Sequence, residues 1–153
     1  MGDVAHTRRL LDAMRTLSTQ QIMLHQAVAD RLNLNVTDYK CMDFIAHFGP
    51  MTAGKLAELS GLTTGAITGA IDRLEKAGYA QRVDNPNDRR SVIVELTWDE
   101  TNRKKYEETF HPLEQEMKKM TASYTNKELA LFTELTFKVA NLLHEETVWL
   151  SKK

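Results

Sequence analysis

The stretch MTAGKLAELSGLTTGAITGAIDRLEKAGYAQRVDNPNDRRSVIVELT, residues 51–97, decides the fold. Its pattern predicts a short helix over residues 53–59, broken at Ser60-Gly61-Leu62. A second helix is expected from Thr64 to Ala77, with Thr63 as N-cap and Gly78 as the stop. Two strand-like runs, 79–84 and 91–97, flank the polar tip Asn85-Pro86-Asn87-Asp88-Arg89-Arg90. Gly61 suits the sharp turn between the helices because it accepts positive φ without strain. Leu56, Leu62, Ile67, Ala70, Ile71 and Leu74 recur at helical spacing and form one apolar face.

Helix, tight turn, helix and hairpin follow one another in the order of a winged helix-turn-helix. That arrangement lays the second helix in a major groove and the hairpin beside it. The outward face of the second helix carries Thr64, Gly65, Thr68, Gly69 and Asp72. These side chains are short, and a glycine inside a helix costs roughly 1 kcal/mol. A face kept this small suits close approach to another surface. Arg89 and Arg90 at the hairpin tip place positive charge where a phosphate surface or a minor groove attracts it, and Asp88 is positioned to orient them. Taken alone, the helix also fits an ordinary amphipathic helix, and the tip a solvated loop paired with Asp84 and Asp88. Their succession favours duplex DNA.

The chain has 153 residues, 42% hydrophobic and 27% charged, which fits one folded domain. Its formal net charge is −1, so DNA contact rests on local placement of Arg and Lys. No run approaches the roughly 18 apolar residues of a membrane span. The beginning, MGDVAHTRRLLDAM, lacks a signal-peptide hydrophobic core. A single Cys excludes an internal disulfide framework. A cytoplasmic location without membrane association is expected.

The flanks read as helices. Residues 4–32 carry Leu10, Leu11, Met14, Leu17, Ile22, Leu24, Val28 and Leu32 with no Pro or Gly. Thr37-Asp38 opens a helix with Tyr39, Cys41, Met42, Ile45 and Phe48 inward, ending at Gly49-Pro50. Residues 99–124 form a charged helix in which Pro112 predicts a kink or an irregular turn. Residues 125–128 open a last helix, which carries Leu129, Phe132, Leu135, Phe137, Val139, Leu142, Leu143, Val148 and Trp149. These long helices are too apolar to face solvent alone; they pack on each other or on a second chain. The fold class is mainly α with a small β-wing.

In order and motifs the chain resembles the MarR family of bacterial transcriptional regulators over essentially its full length. LAELSGLTTGAITGAIDRLEKAGYAQR resembles the family's helix-turn-helix segment, and NDRRSVIVELT its wing. The resemblance implies a single domain over residues 1–153. Residues 36–98 would be the DNA-binding module, and 4–32 and 99–150 dimerisation helices. It implies a homodimer on a pseudo-palindromic operator, usually a repressor, released by a small phenolic or other effector or by cysteine oxidation. Carried over by position, Thr63, Thr64, Gly65, Thr68 and Gly69 form the base-facing segment. Arg90 enters the minor groove oriented by Asp88, Arg89 supports it at the backbone, and Arg73 holds phosphate or braces the wing. Many relatives have an arginine where this chain has Gly69, so a bidentate guanine contact there is absent and shape must carry more of the specificity.

Cys41 sits on an apolar face and reads as a buried small hydrophobe; the alternative is a thiol that senses oxidants or electrophiles. The five histidines, His6, His25, His47, His111 and His144, contain no i,i+4 pair, so no metal site is expected. An effector pocket is expected near Cys41, Met42 and Ile45, where the first and fifth helices meet the winged module. No cofactor is implied. TTGAITG lacks the Gly-Lys-Ser/Thr of a phosphate loop, and no nucleophile–base arrangement stands out, so an enzyme is not expected. A winged-helix protein-interaction module without DNA binding is the competing class.

Overall fold

The computed structural model describes residues 4–151; the expected domain limits at residues 1 and 153 lie outside them. The elements run α1 (Val4–Leu32), α2 (Val36–Phe48), β1 (Met51–Thr52), α3 (Ala53–Ser60), α4 (Thr64–Lys76), β2 (Ala80–Asp84), β3 (Val92–Leu96), α5 (Glu100–Thr121) and α6 (Asn126–Ser151). The antiparallel sheet has the order β1-β3-β2. The hairpin pairs Ala80 with Leu96 and Asp84 with Val92, and β1 adds Met51 opposite Val94. Two compact units divide the chain, Met1–Thr109 and Phe110–Lys153, with the division inside α5 just before Pro112.

In the first unit α2 is the central element, packed on α1, α3, α4 and β3. Leu32, Met42, Leu56, Ile67, Ile71, Leu74 and Val94 are fully buried around it. Each such side chain stabilises the fold by about 1.5–3 kcal/mol relative to exposure. Local chemistry sets the boundaries. Helix α1 closes on Asn33, at φ 59°, with the Leu34 N–H donating to the Ala29 carbonyl at 2.9 Å. Asn tolerates the left-handed region that ends helices. Asn35 caps α2, two residues before the expected start, by accepting the Asp38 N–H at 2.8 Å. Gly61, at φ 69°, makes the turn between α3 and α4 and donates its N–H to Ala57. Gly78, at φ 76°, reverses the chain into β2 while the Tyr79 N–H donates to the Leu74 carbonyl at 2.9 Å.

Three details differ from the sequence reading. The two-residue strand β1 was not expected. Phe48, expected inward, is 58% exposed at the end of α2, stacked on Phe44 and edge-on to His47. Helix α5 runs on through Pro112 without an irregular turn. In the second unit a reciprocal capping box opens α6. Thr125 donates its N–H and hydroxyl to Glu128, and the Glu128 N–H donates back to the Thr125 hydroxyl. Those hydrogen bonds hold the Glu128 carboxyl below its ordinary pKa. None of the residues of α5 or α6 is fully buried in the single chain.

Candidate nucleic-acid interface

Helix α4 presents its two faces as the spacing predicts. Ile67, Ala70, Ile71 and Leu74 are at 0% exposure, and Thr64, Gly65, Thr68 and Asp72 are on the exposed face. Two of its hydroxyls already have partners. Thr63 accepts the Ala66 N–H at 3.3 Å as the N-cap, and Thr68 donates to the Thr64 carbonyl at 3.0 Å. These bonds tie part of the hydroxyl capacity to the main chain on an otherwise exposed face, a surface suited to shape and to thymine methyls. Gly65 opens onto space, with nothing within 4 Å of where a Cβ would stand.

Gly69 is different. A Cβ there would stand 3.1 Å from Nη1 of Arg73. The Arg73 side chain lies back along α4 over Gly69 and reaches Asp38 at the start of α2. Nε donates at 2.8 Å and Nη2 at 2.7 Å. The Asp38 side chain is 3% exposed and Arg73 52%. Asn35 adds a third donor to Asp38 at 2.7 Å. The Asp38 hydrogen bonds raise the pKa of Arg73, which keeps its charge in any case. Arg73 thus braces α4 against α2; of the two roles the resemblance implied, holding phosphate or bracing the wing, the second is not what these contacts do. The glycine at 69 leaves room for the guanidinium.

Arg82, on β2, braces the wing instead, a residue that sequence reading missed. It donates through Nη2 to Asp72 at 2.7 Å and through Nη1 to Glu75, and its main-chain N–H donates to Glu75 at 2.7 Å. The alternating strand pattern around β2 was a usable signal: it puts Arg82 on the side facing α4.

The tip of the hairpin is ordered by its short polar residues. Asn85 accepts the Asn87 N–H at 3.0 Å and donates to Ser91 at 2.8 Å. The Asp88 carboxylate accepts the main-chain N–H of Arg90 at 3.0 Å. It therefore shapes the turn; the side-chain contact from Asp88 to the Arg90 guanidinium that the sequence led us to expect is not formed. Arg89 and Arg90 are exposed and form no ion pair with the other described residues. They precede β3 by two or three residues.

Of the expected effector residues, Cys41 and Met42 are at 0% exposure. Burial pushes the Cys41 thiol up to about 11, with Asp38 adding to the effect and Arg73 opposing it. Ile45 lines an open cleft of about 500 Å³ between the end of α2, β3 and the start of α5. Ala46, Gly49, Pro50, Glu95, Leu96, Trp98 and Tyr106 line the rest. The Trp98 and Tyr106 rings lie 4.8 Å apart. Glu95 is the single charged liner and accepts from Gln81 at 2.7 Å. Among the described residues, no group of three or more His, Cys, Asp or Glu is placed to hold a metal. Among the described residues, no helix is long and apolar enough to cross a membrane.

A buried helix-turn-helix with a short, outward recognition face, beside a hairpin tipped by two arginines, defines a winged helix-turn-helix protein. Residues 34–92 match the family model of the MarR family. The chain is 43% identical over 133 residues to the HTH-type transcriptional regulator YcgE of Bacillus subtilis, covering 86% of this chain and 84% of that protein. It is 37% identical over 68 residues to the multiple antibiotic resistance protein MarR of Salmonella typhimurium, 44% of this chain and 47% of that one. This chain belongs to the MarR family and is a DNA-binding transcriptional regulator. Solved structures share its fold. A MarR family protein from Bacillus stearothermophilus has a TM-score of 0.68 at 16% identity, covering 94% of this chain and 99% of that one. A cysteine-to-serine mutant of Escherichia coli MarR complexed with operator DNA has a TM-score of 0.57 at 24% identity, covering 90% and 99%.

Proposed function

We propose that this chain is a repressor that binds a pseudo-palindromic operator as a homodimer, in the cytoplasm, and lets go when a small molecule occupies it. The observation that carries the DNA reading is the pairing of two surfaces. One is the exposed threonine face of α4 at Thr64 and Thr68; the other is the pair of tip arginines, which form no ion pair with the other described residues. Helix α4 enters the major groove, and Arg90 enters the adjacent minor groove with Arg89 on the backbone. Arg73, fixed by Asp38 through two of its nitrogens, offers Nη1 to a phosphate.

The homodimer is supported by the apolar surface that one chain leaves open. On α6, Leu131, Phe132, Leu135, Leu142, Leu143, Trp149 and Leu150 are 40–66% exposed. At 100° per residue they fall in a stripe about 120° wide. Leu10, Leu11, Leu17, Ile22 and Leu24 of α1 are 41–68% exposed. Contiguous apolar surface of this kind marks an interaction site. The MarR–operator complex among the structural relatives supports the mode of DNA binding at the level of fold. The effector site is the cleft at Ile45, Trp98 and Tyr106. Its aromatic walls and the Glu95 carboxylate suit a neutral or cationic aromatic better than an anionic phenolate. The thiol-sensor alternative is disfavoured by the burial of Cys41 and its raised pKa, since thiolate is the reactive form.

The test is selection from a random duplex pool followed by titration of the enriched duplex. Arg90→Ala is expected to weaken binding by about tenfold or more and to lower the salt slope by about one unit, with the fold retained. A change under about threefold would remove the minor-groove assignment.

A further inference from the structure

The recognition face of α4 ends on a carboxylate. Asp72 follows Thr68 by four residues and Thr64 by eight, so it continues the same exposed stripe, with its side chain 59% exposed. Glu75 stands one turn further, 31% exposed. Both lie in the C-terminal half of α4, where the helix's own partial negative charge already disfavours anions. Beside a phosphate backbone these two carboxylates would repel. A single guanidinium, Arg82 of β2, takes up both.

Bracing the wing does not by itself require that guanidinium. The hairpin ladder, the Tyr79 N–H to Leu74 carbonyl bond and the Arg82 main-chain N–H to Glu75 bond all tie β2 to its surroundings. What the Arg82 side chain adds to these ties is positive charge paired with both Asp72 and Glu75. We propose that Arg82 is a positioning residue for DNA binding: it neutralises Asp72 and Glu75 and holds them toward β2, so that the exposed stripe of α4 can approach phosphate. The proposal rests on the DNA-binding reading above. It separates two roles that a single positive residue beside DNA could play. Arg90 contacts the polyanion, whereas Arg82 removes an obstacle to contact.

The experiment measures fluorescence anisotropy of the duplex that the wild-type chain enriches from a random pool, as a function of salt, for full-length R82Q, D72N and R82Q/D72N. R82Q is expected to bind about tenfold or more weakly, with unchanged circular dichroism and sedimentation. Adding D72N is expected to bring binding back to within about threefold of wild type, because the more exposed of the two repelling charges is gone. D72N alone is expected to bind as tightly as wild type or more tightly. Binding by R82Q within about threefold of wild type overturns the proposal. So does R82Q/D72N that stays as weak as R82Q, which would make Arg82 a mechanical brace. If R82Q fails to fold, D72N and R82K decide. R82K keeps the charge and is expected to bind within about fivefold of wild type; a larger loss, or a loss in D72N, overturns the proposal. A wild-type chain that enriches no duplex overturns the DNA reading itself, and this proposal with it.

Discussion

Helices α4 and α6 both carry apolar stripes and treat them in opposite ways. Helix α4 buries Ile67, Ala70, Ile71 and Leu74 completely and turns a face of threonines and glycines outward. Helix α6 leaves Leu135, Leu142 and Trp149, spaced seven residues apart, at 40–57% exposure. One chain completes the core of the winged module, and that core is what holds the recognition face rigid. It does not complete the helical unit that follows. The difference separates what a single chain specifies, the presentation of α4 and the wing, from what the proposed homodimer would complete.

The contrast breaks most readily at α6. Leu135→Asp with Leu142→Asp is expected to abolish the dimer, because each buried leucine contributes about 1.5–3 kcal/mol and a buried carboxylate adds its desolvation cost. Sedimentation equilibrium should then give the monomer mass, and operator binding should fall with it while the winged module keeps its circular dichroism. Retention of the dimer mass would place the interface elsewhere.

Leu74→Ala sharpens the same contrast from the other side. It is expected to cost about 2–5 kcal/mol in urea unfolding, whatever the protein concentration. Leu142→Ala should cost stability that depends on protein concentration, as mass action requires of a dimer contact. Equal concentration dependence in the two variants would erase the distinction drawn here.

Arg73→Ala is a smaller perturbation. It leaves Asp38 buried without its cation, and about 1–3 kcal/mol is expected. This lies below the range for a fully buried pair, because Arg73 is half exposed. Thermal unfolding of Arg73→Ala beside Asp38→Asn/Arg73→Ala checks it: removing both charges should recover part of the loss.

The smallest effect concerns Cys41. Its folded pKa, about 11, lies above that of an unfolded thiol. The contribution of the neutral buried thiol is therefore fully present below the unfolded value and is lost as pH rises through about 11. Stability should decline across that alkaline window by at most one proton's slope, about 1.4 kcal/mol per pH unit, and Cys41→Ala should flatten it. Fast alkylation of Cys41 in the native protein at neutral pH would show a reactive thiol instead.

Most of the fold was legible because it depends on local signals. The run from Val4 to Leu32 without Pro or Gly set α1, and Gly61 and Gly78 marked the turns around α4. Strand β1 was not legible: two residues carry no alternation, and Met51 pairs with Val94, 43 positions away by subtraction. The exposure of Phe48 was also hidden, since helical spacing gives a stripe but not where the core stops. At the site, Thr64, Thr68, Arg89 and Arg90 could be placed by pattern alone. The partners of the arginines could not. Asp38 lies 35 residues from Arg73, and the Arg82 carboxylates lie across the turn at Gly78. Such pairs are fixed by packing, and in sequence Arg73 and Arg82 look equally free.

Sedimentation of the protein mixed with its enriched duplex tests the central claim most directly, that two winged modules read one operator together. The account predicts a complex of two chains per duplex, formed in one cooperative step, with half-sites separated by about one helical turn or a multiple of it. A complex of one chain per duplex, binding as tightly and with the same salt slope, would contradict it.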